Sequence, residues 1–246
     1  LRRDGRRALG GGGGRGLGLA RAAALAEAGA ETWLVARSAD QVEAAAEAFR
    51  ARGWAARANA LDVTDGAATE AFIAAEGPFQ VLVNNAGLAR HAPFLETTAE
   101  DYDAVTDLNV RAAFFVAQAV AKGLAEAGLG GSIINLSSQM GHVGGPERAV
   151  YCATKHAMEG FTKAMALELA PHGIRVNTLC PTFIATELSA RTLEDPEKRA
   201  WIERSIPLGR VGALEDLMGP VTFLASDASA LVTGAALRVD GGWTAA

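Results

Sequence analysis

The chain has 246 residues, half of them hydrophobic, and a formal net charge of −5. That length suits one α/β domain, residues 1–246, with a sizeable core, and the acidic balance leaves no electrostatic footprint for nucleic acid. No apolar run approaches the roughly 20 residues that span a bilayer, and the opening lacks the apolar segment of a signal peptide, so a cytoplasmic protein is expected.

The Arg-rich opening, Leu1 to Arg7, reads as a solvated terminal segment, and the lack of an initiator Met points to a trimmed or incomplete start. Cys152 and Cys180 lie in apolar contexts at no metal-ligand spacing, and His91, His142, His156 and His172 are scattered. Buried thiols in a reducing compartment are expected, and no metal site.

Short apolar runs alternate with Ala-rich stretches, the pattern of βαβ units and a parallel sheet. Arg7 to Leu9 makes a poor first strand and leads into the glycines from Gly10 to Gly18. A helix over 19–28 follows, then a strand over 32–36 and a second helix over 39–52. A third strand ends near Leu61-Asp62-Val63, and Thr64 or Asp65 can cap the next helix. A fourth strand over 79–83 closes on Asn84-Asn85-Ala86-Gly87. Thr97-Thr98-Ala99-Glu100 predicts a capping box opening one long helix to about Lys122, with Asn109 inside it. A buried strand over 132–136 leads to Ser137-Ser138, and a helix opens at Tyr151. A sixth strand covers 174–179, and residues 182–207, charged with short helical stretches, read as a mobile lid over the substrate. A helix over 214–225 and a strand over 235–239 complete the expected fold. It is a single-domain, Rossmann-like three-layer αβα sandwich on a parallel sheet of about seven strands.

Two stretches carry chemistry. Gly12, Gly16 and Gly18 lie between a strand and a helix, where the backbone can approach a pyrophosphate at the positive end of the helix. At the end of the second strand, where an acidic residue would bind a ribose hydroxyl, stands Arg37, and a guanidinium suits a 2′-phosphate. With Arg15 assisting, this favours NADP(H), NAD(H) being the alternative. Tyr151 and Lys155 lie four residues apart, so a helix stacks them on one face. The ammonium is expected to lower the phenol pKa towards the range useful for general acid–base catalysis.

In order along nearly the whole chain come the glycine turn, Asn84-Asn85-Ala86-Gly87, Asn109, Ser138 and Tyr151-x-x-x-Lys155. With these motifs the sequence resembles the short-chain dehydrogenase/reductases. The resemblance implies an NAD(P)-dependent oxidoreductase that interconverts a secondary alcohol and a ketone. It implies catalytic roles for four residues. Tyr151 exchanges the proton, Ser138 holds the substrate oxygen, and Lys155 holds the nicotinamide ribose and depresses the Tyr151 pKa. Asn109 anchors a relay water. Ser137 competes with Ser138 for its role, and only the resemblance favours Ser138. It also implies cofactor contacts from Gly12, Arg15, Gly16, Leu17, Gly18, Arg37, Asp62, Val63, Asn85, Ala86, Gly87, Tyr151, Lys155, Pro181, Ile184 and Thr186.

Arg7, Gly10 and Gly11 depart from the family pattern and put the first strand in doubt, because consecutive glycines raise the entropic cost of ordering; Thr182 stands where a glycine is often found. For the substrate, Ser138, Gln139, His142 and Arg148, with Arg90 and His91, suggest a pocket for a sugar acid or polyol, as in gluconate-type members. Reduction of a 3-oxoacyl thioester on a carrier protein is the alternative, with Arg191, Lys198, Arg199, Arg204 and Arg210 as the docking surface. A non-catalytic dinucleotide-binding regulator is the remote one. The family resemblance also implies a homotetramer, with the helices from Thr98 and Tyr151 facing partner copies.

Overall fold

A computed structural model describes residues 5–245, apart from the side chains of Glu187, Leu188 and Arg191. The opening as far as Asp4, and Arg191 as a docking residue, therefore lie outside the described residues. The described strands form one parallel sheet in the order β3-β2-β1-β4-β5-β6-β7. They are β1 (Arg7–Gly11), β2 (Glu31–Ala36), β3 (Ala56–Ala60), β4 (Val81–Asn84), β5 (Gly131–Leu136), β6 (Ile174–Pro181) and β7 (Ala236–Val239). Because β2 and β4 flank β1 on opposite sides, successive crossovers leave β1 in opposite directions. That reversal opens a crevice at the carboxyl ends of β1 and β4.

Side chains alternate across the sheet, and each face is covered by helices. On one face Leu9, Trp33, Leu82, Ile133 and Val176 pack with Ile73, Val116, Val120, Leu124 and Ala166. Those partners come from α3 (Gly66–Glu76), α5 (Ala113–Glu126) and α6 (Ala149–Leu169). On the other face Ala8, Val81, Val83, Ile134 and Leu179 meet Leu25, Val221 and Leu224, while Leu34 packs with Ala22, Val42 and Phe49. Here the cover is α1 (Gly16–Glu27), α2 (Ala39–Arg50) and α9 (Glu215–Ala225). The result is the three-layer sandwich expected from the sequence.

The doubted first strand sits at the centre of the sheet. Arg7, at its foot, donates to the Glu76 carbonyl at 2.6 Å, pairs with Glu31 at 3.2 Å, and lies over the Trp33 and Phe79 rings. Its charge is thus satisfied at the amino-terminal end of the strand while its stem covers apolar surface. Neighbouring strands on both sides supply the hydrogen bonds that the weak local propensity does not.

Some boundaries differ from expectation. The one long helix over 98–122 is α4 (Ala99–Thr106), a π-helical turn (Asp107–Ala112) and α5. Its cap is Thr98 rather than Thr97: Thr98 Oγ1 accepts from the Asp101 amide at 3.1 Å and donates to the Asp101 carboxylate at 2.9 Å. Asp65, not Thr64, caps α3. The 182–207 segment contains two short helices, α7 (Glu187–Glu194) and α8 (Pro196–Ser205).

Candidate active site

The glycine turn leaves β1 and enters α1 through backbone shapes that side chains resist. Gly12 and Gly16 have φ of +68° and +54°, in the left-handed region open to glycine. A Cβ on Gly18 would meet the Gly12 carbonyl oxygen at 2.0 Å. The first turn of α1 has no side-chain cap and no acidic residue. Its leading amides and positive dipole end are therefore presented to an anion. Asn85, just beyond β4, donates to the Gly11 carbonyl at 3.0 Å and accepts from the buried Arg21 guanidinium. This ties the turn to the Asn85-Ala86-Gly87 segment.

A nicotinamide dinucleotide fits these features: the turn admits close backbone approach, and the helix end offers donors for a pyrophosphate. Arg15 and Arg37 are exposed beside it. Arg37 stands close enough to Asp62 to help hold that carboxyl below its usual range, although the main causes are the Thr64 amide at 3.0 Å and hydroxyl at 2.7 Å. Val63 lies with Val35, Leu61 and Ala86 around a small apolar cavity.

The acid–base group assembles where β5 and α6 meet. Tyr151 and Lys155 project from one face of α6, and Ser138, past the end of β5, lies close enough to the Tyr151 hydroxyl to favour its ionised form. Ser138 Oγ also accepts from the Met140 amide at 3.1 Å, which fixes its orientation. Ser137 lies on the other side, against Gly141 and Cys180. The structure therefore separates the two serines that the residues alone left open.

Lys155 Nζ donates to the Leu136 carbonyl at 2.7 Å and sits 5.5 Å from the centre of the Tyr151 ring. Burial, with the Arg21 charge adding to it, pulls the Lys155 pKa down to about 8; Cys180 and Glu159 oppose this. The Tyr151 pKa is raised, not lowered as the four-residue step to Lys155 leads one to expect. Burial pushes it up, outweighing the Ser138 hydroxyl and the Arg148 charge, while Lys155 is directed to a carbonyl. In this arrangement the phenol is a proton donor through neutral pH.

Asn109, in the π-helical turn, accepts from the Leu88 amide at 2.8 Å and donates to the Leu88 carbonyl at 2.8 Å and to Thr154 at 3.1 Å. Its side chain locks the segment after Gly87 against α6. Thr186 accepts from the Ser189 amide as the cap of α7, and Ile184 bridges to Gly212. The Pro181–Thr186 segment therefore has a defined path beside the crevice.

Of the substrate candidates, Gln139 is buried and its amide has no hydrogen-bond partner; the Thr182 hydroxyl is in the same state. Arg148 lies over Phe183 at 5.6 Å and acts electrostatically on Tyr151, and His91 meets the Tyr151 ring edge-on at 6.0 Å. Burial first, then Arg148, lowers the His91 pKa. Glu147 beside them has φ of 61°, the one non-glycine positive φ among the described residues, and such strain collects at functional loops. Two candidates stand apart. Arg90 is engaged by Asp101 at 2.8 Å, and the His142 ring turns to Cys180 and Glu159.

Sequence reasoning missed Arg21 and Glu159. Glu159 follows Lys155 by four residues, so the face that carries Tyr151 and Lys155 already contained it. Arg21 gave no signal beyond a charge on an apolar helix.

Comparison with known proteins agrees with this geometry. A family profile described as enoyl-(acyl carrier protein) reductase matches residues 12–244. The chain is 42% identical to D-erythrulose reductase of Gallus gallus, covering 97% of this chain and 96% of that one. It is 41% identical to gluconate 5-dehydrogenase of Gluconobacter oxydans (strain 621H), covering 98% and 95%. A gluconate 5-dehydrogenase from Burkholderia cenocepacia J2315, solved in complex with NADP and tartrate, superposes with a TM-score of 0.96 at 40% identity, covering 100% of this chain and 97% of that one. With the glycine turn, the Ser138–Tyr151–Lys155 group and these full-length similarities together, the chain belongs to the short-chain dehydrogenase/reductase family and is an NAD(P)-dependent oxidoreductase.

Proposed function

We propose that the protein interconverts a secondary alcohol and a ketone on a sugar acid, polyol or similar small hydroxy compound, with NADP(H) as the favoured cofactor. The observation that carries this reading is the approach of Ser138 to the Tyr151 hydroxyl, with Lys155 on the same helix face. NADP(H), when bound, supplies or accepts the hydride. Gly12, Gly16, Leu17, Gly18 and the uncapped start of α1 would hold its pyrophosphate, Arg15 and Arg37 its 2′-phosphate, and Asp62, Val63, Asn85, Ala86 and Gly87 its adenosine half. Pro181, Ile184 and Thr186 would line the nicotinamide end, and Tyr151 and Lys155 its ribose.

In the reducing direction Ser138 Oγ donates to the substrate oxygen and Tyr151 Oη gives that oxygen its proton, a step worth roughly 10²–10⁴ in rate. The phenolate left behind is stabilised by the Arg148 charge and re-protonated from the Lys155 side. Asn109 uses both side-chain hydrogens on Leu88 and Thr154, so a relay water would be held through its main chain. Gln139 and Thr182 have free polar atoms for substrate hydroxyls, and Arg148 suits a carboxylate.

The relatives at about 40% identity include proteins named D-erythrulose reductase, gluconate 5-dehydrogenase, L-xylulose reductase and D-threitol dehydrogenase. Their shared chemistry, a polyol or its ketose or keto acid, supports this substrate class over a 3-oxoacyl thioester. The docking surface for a carrier protein is also weak, since Arg199 pairs with Glu203 and Arg210 with Asp216. Exposed Phe114, Phe115 and Leu167 on α5 and α6 support assembly into a homotetramer through those helices. A cytoplasmic place for the enzyme belongs to the same reading. No helix among the described residues is long and apolar enough to cross a membrane.

The test is turnover of gluconate, threitol, xylulose, erythrulose and a 3-oxoacyl thioester with the phosphorylated and unphosphorylated cofactors. A polyol, ketose or sugar acid should give the highest kcat/KM. Faster turnover of the thioester than of every sugar compound would reverse the assignment.

A further inference from the structure

Neither cysteine lies at a metal-ligand spacing in the sequence, yet the fold brings Cys180, at the end of β6, to Glu159 on α6 and His142 on the loop after Ser138. Cys180 Sγ lies 3.3 Å from Glu159 Oε1 and 3.5 Å from His142 Nε2, and His142 Nε2 lies 3.6 Å from Glu159 Oε1. We propose that these three side chains form a binding site for a thiophilic divalent cation, zinc.

The spacing of the three donor atoms suits zinc. Zinc bonds of about 2.0–2.3 Å at tetrahedral angles imply ligand–ligand edges of roughly 3.4–3.6 Å. The three observed edges form nearly that triangle, so the metal can sit just above its plane with little movement of the side chains. Charge favours it as well. Zinc with one thiolate, one carboxylate and a neutral imidazole is neutral overall, which lowers the cost of burial. A thiolate in the donor set selects against magnesium and calcium.

The supporting shell is also present. Thr178 Oγ1 donates to the other Glu159 oxygen at 2.9 Å, which fixes the carboxylate as a metal site requires. The Ser137 hydroxyl is buried beside Cys180 without a nitrogen or oxygen partner. His142 is the partly exposed member, with 23% of its side chain accessible, and supplies the way in. Occupancy would join β6, α6 and the loop after Ser138, the three elements that frame the active site.

Metal entry exchanges the proton on Cys180 for zinc, so each equivalent bound should release one proton to solvent. The experiment titrates zinc and cobalt(II) into the full chain, stripped with chelator and kept reduced with a phosphine. One equivalent should bind, cobalt should show a thiolate-to-metal charge-transfer band with tetrahedral visible bands, and thermal stability should rise. Cys180→Ala and Glu159→Gln should each weaken binding at least tenfold, and Cys180→Ala should abolish the charge-transfer band. X-ray absorption of the zinc-loaded wild type gives the same answer without a variant: one sulfur at about 2.3 Å among nitrogen and oxygen neighbours. No stoichiometric binding, a wild-type spectrum without sulfur, or unchanged affinity in folded Cys180→Ala would each overturn the site.

Discussion

Gly18 and Gly12 are packed backbone to backbone: a Cβ on Gly18 would lie 2.0 Å from the Gly12 carbonyl oxygen and 2.9 Å from Asn85 Nδ2. That contact holds the start of α1 against the end of β1 and shapes the cradle for a pyrophosphate. Gly18→Ala must push backbone rather than a flexible side chain, an overpacking cost of roughly 1–3 kcal/mol. We expect a lower melting temperature and at least about tenfold weaker NADPH binding, because the displaced amides no longer converge. Fluorescence titration of NADPH measures it, and wild-type affinity in a folded Gly18→Ala variant would count against the cradle.

Gly10 has the opposite outcome. A methyl group at this position would meet the Trp33 carbonyl oxygen at 3.7 Å and Ala22 Cβ at 3.8 Å, both ordinary contacts, and the Gly10 φ is not positive. Gly10→Ala should therefore stabilise the central strand by about 0.5–1 kcal/mol, chiefly by reducing the freedom of the unfolded chain. Urea unfolding with unchanged activity is the readout; a loss of stability would mean that β1 needs its glycine.

Tyr151→Phe keeps the ring against His91 and Lys155 and removes only the hydroxyl that Ser138 engages. Ketone reduction should fall by roughly 10²–10⁴ while NADPH still binds. Turnover within a few-fold of wild type would end the acid–base assignment.

Lys155 couples the site to pH. Its folded pKa of about 8 lies below the ordinary 10.5, so the folded state gives up this proton first. Below pH 8 the charged, buried amine weighs fully against folding; the penalty is relieved as pH rises from about 8 to 10.5. At 1.36 kcal/mol per unit the effect is on the order of 3 kcal/mol. Relative to Lys155→Met, the wild type should gain that stability over this window. Parallel unfolding profiles of the two proteins would contradict the burial of its charge.

Arg37 is the exposed cation at the end of β2, beside Asp62. Arg37→Asp replaces a partner for phosphate with one for ribose hydroxyls. Losing a charged hydrogen bond worth about 1.5–3 kcal/mol should move the NADP(H)-to-NAD(H) ratio of kcat/KM by roughly tenfold or more towards NAD(H). An unmoved ratio would remove Arg37 from the cofactor reading.

Much of this was legible in the residue order because the relevant spacings are local. The four-residue step from Tyr151 to Lys155, the glycines between strand and helix, and the period of the apolar runs each constrain neighbours along the chain. Boundaries slipped where two residues compete for one cap, as at Thr97 and Thr98, and where a π-helical turn interrupts a helix without any breaker. The direction of the Tyr151 pKa shift is not legible in the four-residue step, which gives proximity but not orientation: Lys155 Nζ donates to the Leu136 carbonyl, and burial raises the phenol.

The amino-acid order by itself determined the wound α/β class, the glycine turn between strand and helix and the pairing of Tyr151 with Lys155 on one helix face, since each depends on periodicity or on groups a few residues apart. Only the tertiary structure decided that Ser138 rather than Ser137 reaches Tyr151, that Arg21 and Glu159 act on Lys155, and that His142, Glu159 and Cys180 converge. Those relations join a strand end, a loop and a helix face far apart in sequence, and their distances exist only once the sheet has stacked its neighbours in register.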